Sequence, residues 1–214
     1  MTFTELKAET FRRIQEVAST PVFWTEADVA AALNEGYQEL SDATEWYERV
    51  VTIDLLRERP YYDLRRILPD PLLRVGNAFN VQTSRWLIPC SVPDLDRGWR
   101  RWETTIGEPD HVLIRGLWWL RYWPMSGAES GSIQQHYTAI PPALAEETDV
   151  PGVPVSMHYG LVEYALADLW AQDAETTLAT TAWATYLAYE TALTDFVQGR
   201  VAVPMVTGLM GSTP

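Results

Sequence analysis

The residue types that carry most enzyme chemistry are scarce in this chain and stand apart from one another. Its three histidines are His111, His136 and His158, and none has a second ligand at a spacing such as H-E-x-x-H, which would set two imidazoles on one helix face. Cys90 is the only cysteine and lies in the apolar run Ile88-Pro89-Cys90-Ser91-Val92, where a half-buried, unreactive thiol is expected. A single cysteine builds no internal disulfide and no thiolate zinc site, and it fits a reducing compartment. The carboxylate pairs Glu146-Glu147 and Asp94/Asp96 fall in turn-like sequence and read as solvated, not as an acid–base dyad. Neither a phosphate loop nor a dinucleotide glycine pattern occurs. The expectation is a protein that is not an enzyme, with no catalytic residue, no metal and no cofactor.

What remains is recognition chemistry, and charge locates it. Residues 1–48 hold ten carboxylates against Lys7, Arg12 and Arg13, and residues 141–214 hold nine against Arg200, so the flanks carry -7 and -8. Residues 49–140 hold twelve arginines, no lysine and ten carboxylates, a balance of +2, together with six of the ten tryptophans. Trp99, Trp102, Trp118, Trp119 and Trp123 alternate with Arg97, Arg100, Arg101, Arg115 and Arg121. Such pairs stack sugars or single-stranded nucleic acid, and they also anchor protein interfaces. On a strand, Trp118 and Trp119 face opposite sides, so one is expected in the core and the other outward. A net charge of -13 opposes nucleic-acid binding, which needs a basic footprint.

These residues need elements to hold them. Thr2 with Glu5 has the form of a capping box, and Phe3, Leu6, Ile14 and Val17 recur at helical spacing, which predicts a first helix to about residue 18, closed by Pro21. Thr25 and Asp28 repeat the signal ahead of Val29, Leu33, Tyr37 and Leu40, a second helix to about Thr44. The period then alternates: Val51, Ile53 and Leu55 on one face, Thr52 and Asp54 on the other. Further short strands are expected at 61–64, 72–81, 85–89, 111–115, 117–123 and 132–139. Helical period returns at Val155 with Tyr159, Val162, Leu166 and Leu169. A last helix carries Leu178, Ala182, Tyr186, Tyr189, Leu193 and Phe196 in a near-heptad seam, with Ala and Thr on its other faces, and Gly199 is its expected stop. Residues 200–214 have no helical period and no carboxylate.

The expected fold class is therefore α+β: a four-helix bundle with an inserted antiparallel β subdomain between the second and third helices, plus an extended C-terminal arm. Residues 1–48 would form one helical hairpin of the bundle, 49–140 the β insertion, 141–199 the second hairpin and 200–214 the arm. No window reaches the ~20 apolar residues that span a bilayer, so no membrane partner is expected. The arm is too apolar for a solvated linker and too rich in Gly and Pro for another helix, which leaves it to bury Val201, Val203, Met205, Val206, Leu209 and Met210 against its own or another subunit.

Several local signatures, in order, carry a resemblance. They are Asn34-Glu35-Gly36 followed by Leu40, then Trp102-x4-Gly107-Glu108-Pro109, then Leu120-x-Tyr122-Trp123-Pro124, then the Gly131 to Ile140 strand ending at Pro141. Last comes Val155-x2-His158-Tyr159 with Leu161, Val162, Tyr164 and Ala165 opening the third helix. Together, over residues 2–198, the chain resembles the head-to-tail adaptor, or connector, proteins of tailed bacteriophages. The resemblance implies a structural virion protein in the neck, assembled in the host cytoplasm. It implies a homo-oligomeric ring of about twelve copies under the portal protein. Such a ring would extend the DNA channel, touch genomic DNA only in passing and give tail or neck proteins a docking platform. Interface residues expected on this reading are Arg97, Trp99, Arg100, Trp102, Arg115, Trp119, Arg121, Val201, Val203, Met205, Leu209 and Met210. The alternative from another class is a carbohydrate-binding module using the tryptophan face.

Overall fold

The computed structural model describes residues 1–15, 23–127 and 131–206, the last seven of them as backbone alone. In chain order the elements are α1 (Phe3–Ile14), α2 (Glu26–Thr44), β1 (Glu48–Asp54), β2 (Tyr62–Asp63), α3 (Leu64–Ile67), β3 (Leu72–Asn80), β4 (Arg85–Trp86), β5 (Ile88–Cys90) and α4 (Val92–Gly98). They continue with β6 (Ile106–Gly107), β7 (His111–Arg115), β8 (Trp119–Trp123), β9 (Met125–Ser126), β10 (Ser132–Ala139), α5 (His158–Gln172) and α6 (Thr176–Val206). Short 3-10 turns lie at Trp102–Thr104 and Val155–Met157. The architecture is mixed α and β. It divides into a helical unit, Met1–Tyr47 with Ile140–Pro214, and a β-rich unit, Glu48–Ala139.

In the helical unit both expected capping boxes form. Thr2 accepts from Glu5 N while Glu5 accepts from Thr2 N, and Thr25 and Asp28 do the same for α2. Each box satisfies two of the amide groups that a helix start leaves orphaned. α5 packs against α1, α2 and α6, so nearly all of it is buried, from Gly160 through Ala167 and on to Leu169. A helix apolar on most sides has that place in a fold. Leu6, Leu33, Leu40, Leu161, Leu166, Tyr186 and Leu193 belong to the one core these helices share. Glu163, the buried carboxylate on α5, is neutralised by an ion pair to Arg13 of α1.

The β-rich unit contains a four-stranded antiparallel sheet in the order β1-β10-β3-β4 and a second in the order β2-β8-β7-β5. Alternation in β1 works as expected, with Ile53 and Leu55 inward and Thr52 and Asp54 outward. One apolar cluster draws Ile53, Ala78 and Ile133 from the first sheet and Tyr62, Val112, Leu120 and Tyr122 from the second. Tyr122 donates to Gln135 Oε1 across it at 3.3 Å. Leu95, Trp102, Leu113 and Trp123 make a separate small cluster beneath α4.

Three expectations are corrected. The β unit is not wholly antiparallel: β5 runs parallel to β7, and β6 parallel to β9. Alternation reports burial but not the direction of a partner, and α4 supplies the connection that a parallel pair requires. Second, Trp118 lies in the turn between β7 and β8, half-exposed, and Trp119 is exposed, so neither is core. Third, α6 does not stop at Gly199 but continues to Val206. Residues 200–206 are thus helix and not an extended arm: one internal glycine costs only ~1 kcal/mol, elongating a formed helix is far easier than starting one, and Pro204 removes one backbone donor near the helix end.

Candidate functional site

Of the expected interface residues, Trp102 and Arg121 turn inward. Trp102 Nε1 donates to Asp96 Oδ1 at 2.7 Å, and the Trp102 carbonyl accepts from Trp123 Nε1 at 2.8 Å. Arg121 is 2% exposed, lies 4.6 Å over the Trp102 ring and donates to the Glu103 carbonyl. The expectation that these two face a partner is therefore corrected. A guanidinium with an aromatic face and a carbonyl within reach can sit indoors, and sequence spacing does not reveal when it will. Arg97, Trp99, Arg100, Arg115 and Trp119 are exposed. Trp99 rests on Trp123, centroids 4.6 Å apart, and keeps 44% of its surface open. Trp119 meets Tyr61 edge-on at 6.5 Å, and Arg115 donates to the Tyr61 hydroxyl at 3.1 Å. Burial would raise that phenol, but Arg115 and Arg121 outweigh it and hold the Tyr61 hydroxyl below the ordinary tyrosine range. Val201, Val203 and Met205 lie on the last turns of α6, and Leu209 and Met210 lie outside the described residues.

The residues capable of chemistry are dispersed. His158 is fully buried at the start of α5, its Nε2 donating to the Val153 carbonyl at 3.1 Å and its Nδ1 accepting from the Met1 amine at 2.7 Å. Burial pushes the Cys90 thiol up, with Asp94 and Asp110 adding to it, which is the unreactive state expected. Among the described residues no cluster of three metal-ligating side chains occurs, and no helix is long and apolar enough to cross a membrane.

The Asn34-Glu35-Gly36 signature has a structural role that spacing alone does not disclose. Asn34 clamps the backbone of residue 144 from both sides, accepting from Leu144 N at 2.7 Å and donating to Leu144 O at 3.0 Å. Glu35 accepts from the Tyr164 hydroxyl at 3.3 Å, and the Tyr37 hydroxyl accepts from Gly152 N at 2.9 Å. Three residues within four positions of α2 thus fix the 144–152 segment and α5.

α6 offers surface on two sides. Ala179, Ala182, Tyr186 and Leu193 form its buried stripe. At 3.6 residues per turn, Leu178 and Phe196 fall about 70° to one side of that stripe and Trp183 and Leu187 about 90° to the other. All four are exposed. Sequence periodicity placed Leu178 and Phe196 in the seam, and it missed the groove that Trp183 borders with Tyr164 and Asp168.

A two-faced helix, exposed arginines and tryptophans at both ends of the β7–β8 pair and scattered titratable groups suit a protein that binds other proteins. No curated protein matches the chain. The family model of the SU10 adaptor protein matches residues 1–208. Matched over nearly its whole length, the chain belongs to the SU10 adaptor protein family, a family of structural phage head-to-tail adaptors.

Proposed function

We propose that the chain occupies the virion neck as a ring of about twelve copies, seated on the portal protein, extending its DNA channel and presenting a platform to tail or neck proteins. The observation that carries this reading is the family match over residues 1–208. The helices of residues 1–48 and 141–199 act in it as a four-helix bundle, the 49–140 segment as a contact platform, and 200–214 as an arm that reaches a neighbour. α6 supports the ring, because a helix with exposed apolar residues on both flanks of its buried stripe can meet two neighbours by one heterologous contact, and such contacts close by rotation. The acidic helices suit a channel wall: negative charge repels phosphate, so DNA slides instead of sticking.

Mass measurement of portal-bearing particles saturated with the purified chain tests the reading. About twelve copies per portal are expected; one or two would end the ring proposal.

A further inference from the structure

The α5–α6 hairpin holds an open groove of about 460 Å³. It is lined by the small side chains of Ala167, Ala171 and Ala179 together with the Tyr164 and Trp183 rings and the Asp168 carboxylate. The two ring centroids are 5.8 Å apart. No lysine or arginine occurs in α2, in α5 or in residues 176–199 of α6. Negative charge here is uncompensated by these helices: burial first, then Glu35, Glu39 and Asp168, push the Tyr164 phenol up to about 12. Glu190 and Glu39 act in the same direction on Tyr186 beside it, again after burial. Aromatic faces with carboxylates around an apolar floor recognise a guanidinium carried on an apolar segment.

The chain itself carries such a segment. Arg97 and Arg100 flank Trp99 at the end of α4, all three exposed, and Arg100 makes no ion pair among the described residues. The charge division is steep, since the helical unit has eighteen carboxylates against four basic residues and the β-rich unit eleven against twelve.

Resting on the ring reading above, we propose that the Arg97–Trp99–Arg100 surface of one copy docks in the α5–α6 groove of the next. Arg100 meets Asp168 and Trp183, and the exposed part of Trp99 covers the groove's alanines. The two patches differ, so the contact is heterologous and repeats around a ring. Being a contact of opposite charges, it weakens as salt rises, whereas a purely apolar contact between copies that each carry -13 would tighten.

Single cysteines at two exposed positions test the pairing. In a Cys90→Ala background, Gly98→Cys chains, which keep Arg100, are mixed with Thr180→Cys chains, bound to portal-bearing particles and oxidised. A disulfide-linked dimer is expected in the mixed sample and in neither chain alone. Arg100→Glu should weaken assembly about tenfold, and Asp168→Arg should restore much of it. Copies that bind at full number without the 98–180 link, or an assembly that tightens with salt, overturn the docking and leave the ring standing. Failure of the Cys90→Ala parent to exceed two copies per portal removes the ring and this contact with it.

Discussion

A β-carbon on Gly36 of α2 would lie 2.7 Å from Cδ1 of Tyr164 on α5, closer than real side-chain contacts come. The nearby Cγ and Cβ of Tyr164, at 2.8 and 2.9 Å, belong to the root of the ring and cannot swing aside. Glycine is therefore what lets α2 approach α5 closely enough for Glu35 to reach the Tyr164 hydroxyl. Gly36→Ala gains ~1 kcal/mol of helix propensity and loses ~1–3 kcal/mol to overpacking. A net fall in melting temperature of several degrees is expected. Gly98→Ala, where nothing lies within 4 Å, serves as the control and should leave the melting temperature unchanged or slightly raised.

Asn34 is the second test of the α2 signature. Asn34→Asp keeps an acceptor for Leu144 N but puts a carboxylate oxygen against Leu144 O, so the clamp loses one bond and gains repulsion. A loss of ~1–3 kcal/mol in urea unfolding is expected. In Asn34→Ala the Leu144 amide loses its acceptor and should exchange its hydrogen faster, while amides of the β-rich unit keep their rates.

The legible parts of the fold are those written locally. Both capping boxes, the alternation of β1 and the apolar stripe of α2 rest on residues within a few positions of each other. What escaped was relational. The parallel pairing of β5 with β7 depends on where the chain goes next. The inward turn of Arg121 depends on Trp102, nineteen positions earlier, offering a ring and on Glu103 offering a carbonyl. The same holds at the candidate site: the exposure of Trp99 and Arg100 was legible, but the groove needs Tyr164 and Asp168 on one helix beside Trp183 on another.

His158 gives the helical unit a pH dependence. Burial, the largest influence, and the Met1 amine lower its pKa from the ordinary value, while its backbone hydrogen bonds oppose the shift. The unfolded chain takes up a proton near pH ~6.5 and the folded one does not, so stability is full above that pH and falls as pH drops toward the folded-state pKa. The wild type should lose melting temperature between pH 7.5 and 5.5. His158→Gln, whatever its starting stability, should lose less over the same interval.

Charge sets the behaviour toward DNA. With -13 per copy and eighteen carboxylates in the helical unit, the isolated protein should not retard a double-stranded fragment at physiological salt. Tight retardation that disappears as salt rises would contradict an acidic channel wall and make the twelve arginines a nucleic-acid surface instead.

The C-terminal arm provides the last prediction. Residues 200–214 hold Arg200 and no carboxylate, with Val201, Val203, Met205, Val206, Leu209 and Met210 among them. α6 meets its buried partners at Ala179, Ala182, Tyr186 and Leu193, all before Gly199, and a β-carbon on Gly199 would meet nothing within 4 Å. Removing residues 200–214 should therefore leave the melting temperature within a few degrees and the loss of helical signal small. Apolar residues that meet a neighbouring copy or the portal contribute buried area only in the assembly. The truncated chain should accordingly dissociate from portal-bearing particles at least about tenfold faster than the full chain, read as copies retained after dilution. A truncation that melts far earlier would assign the arm to its own subunit's core, and one retained as long as the full chain would leave the arm without a part in the neck.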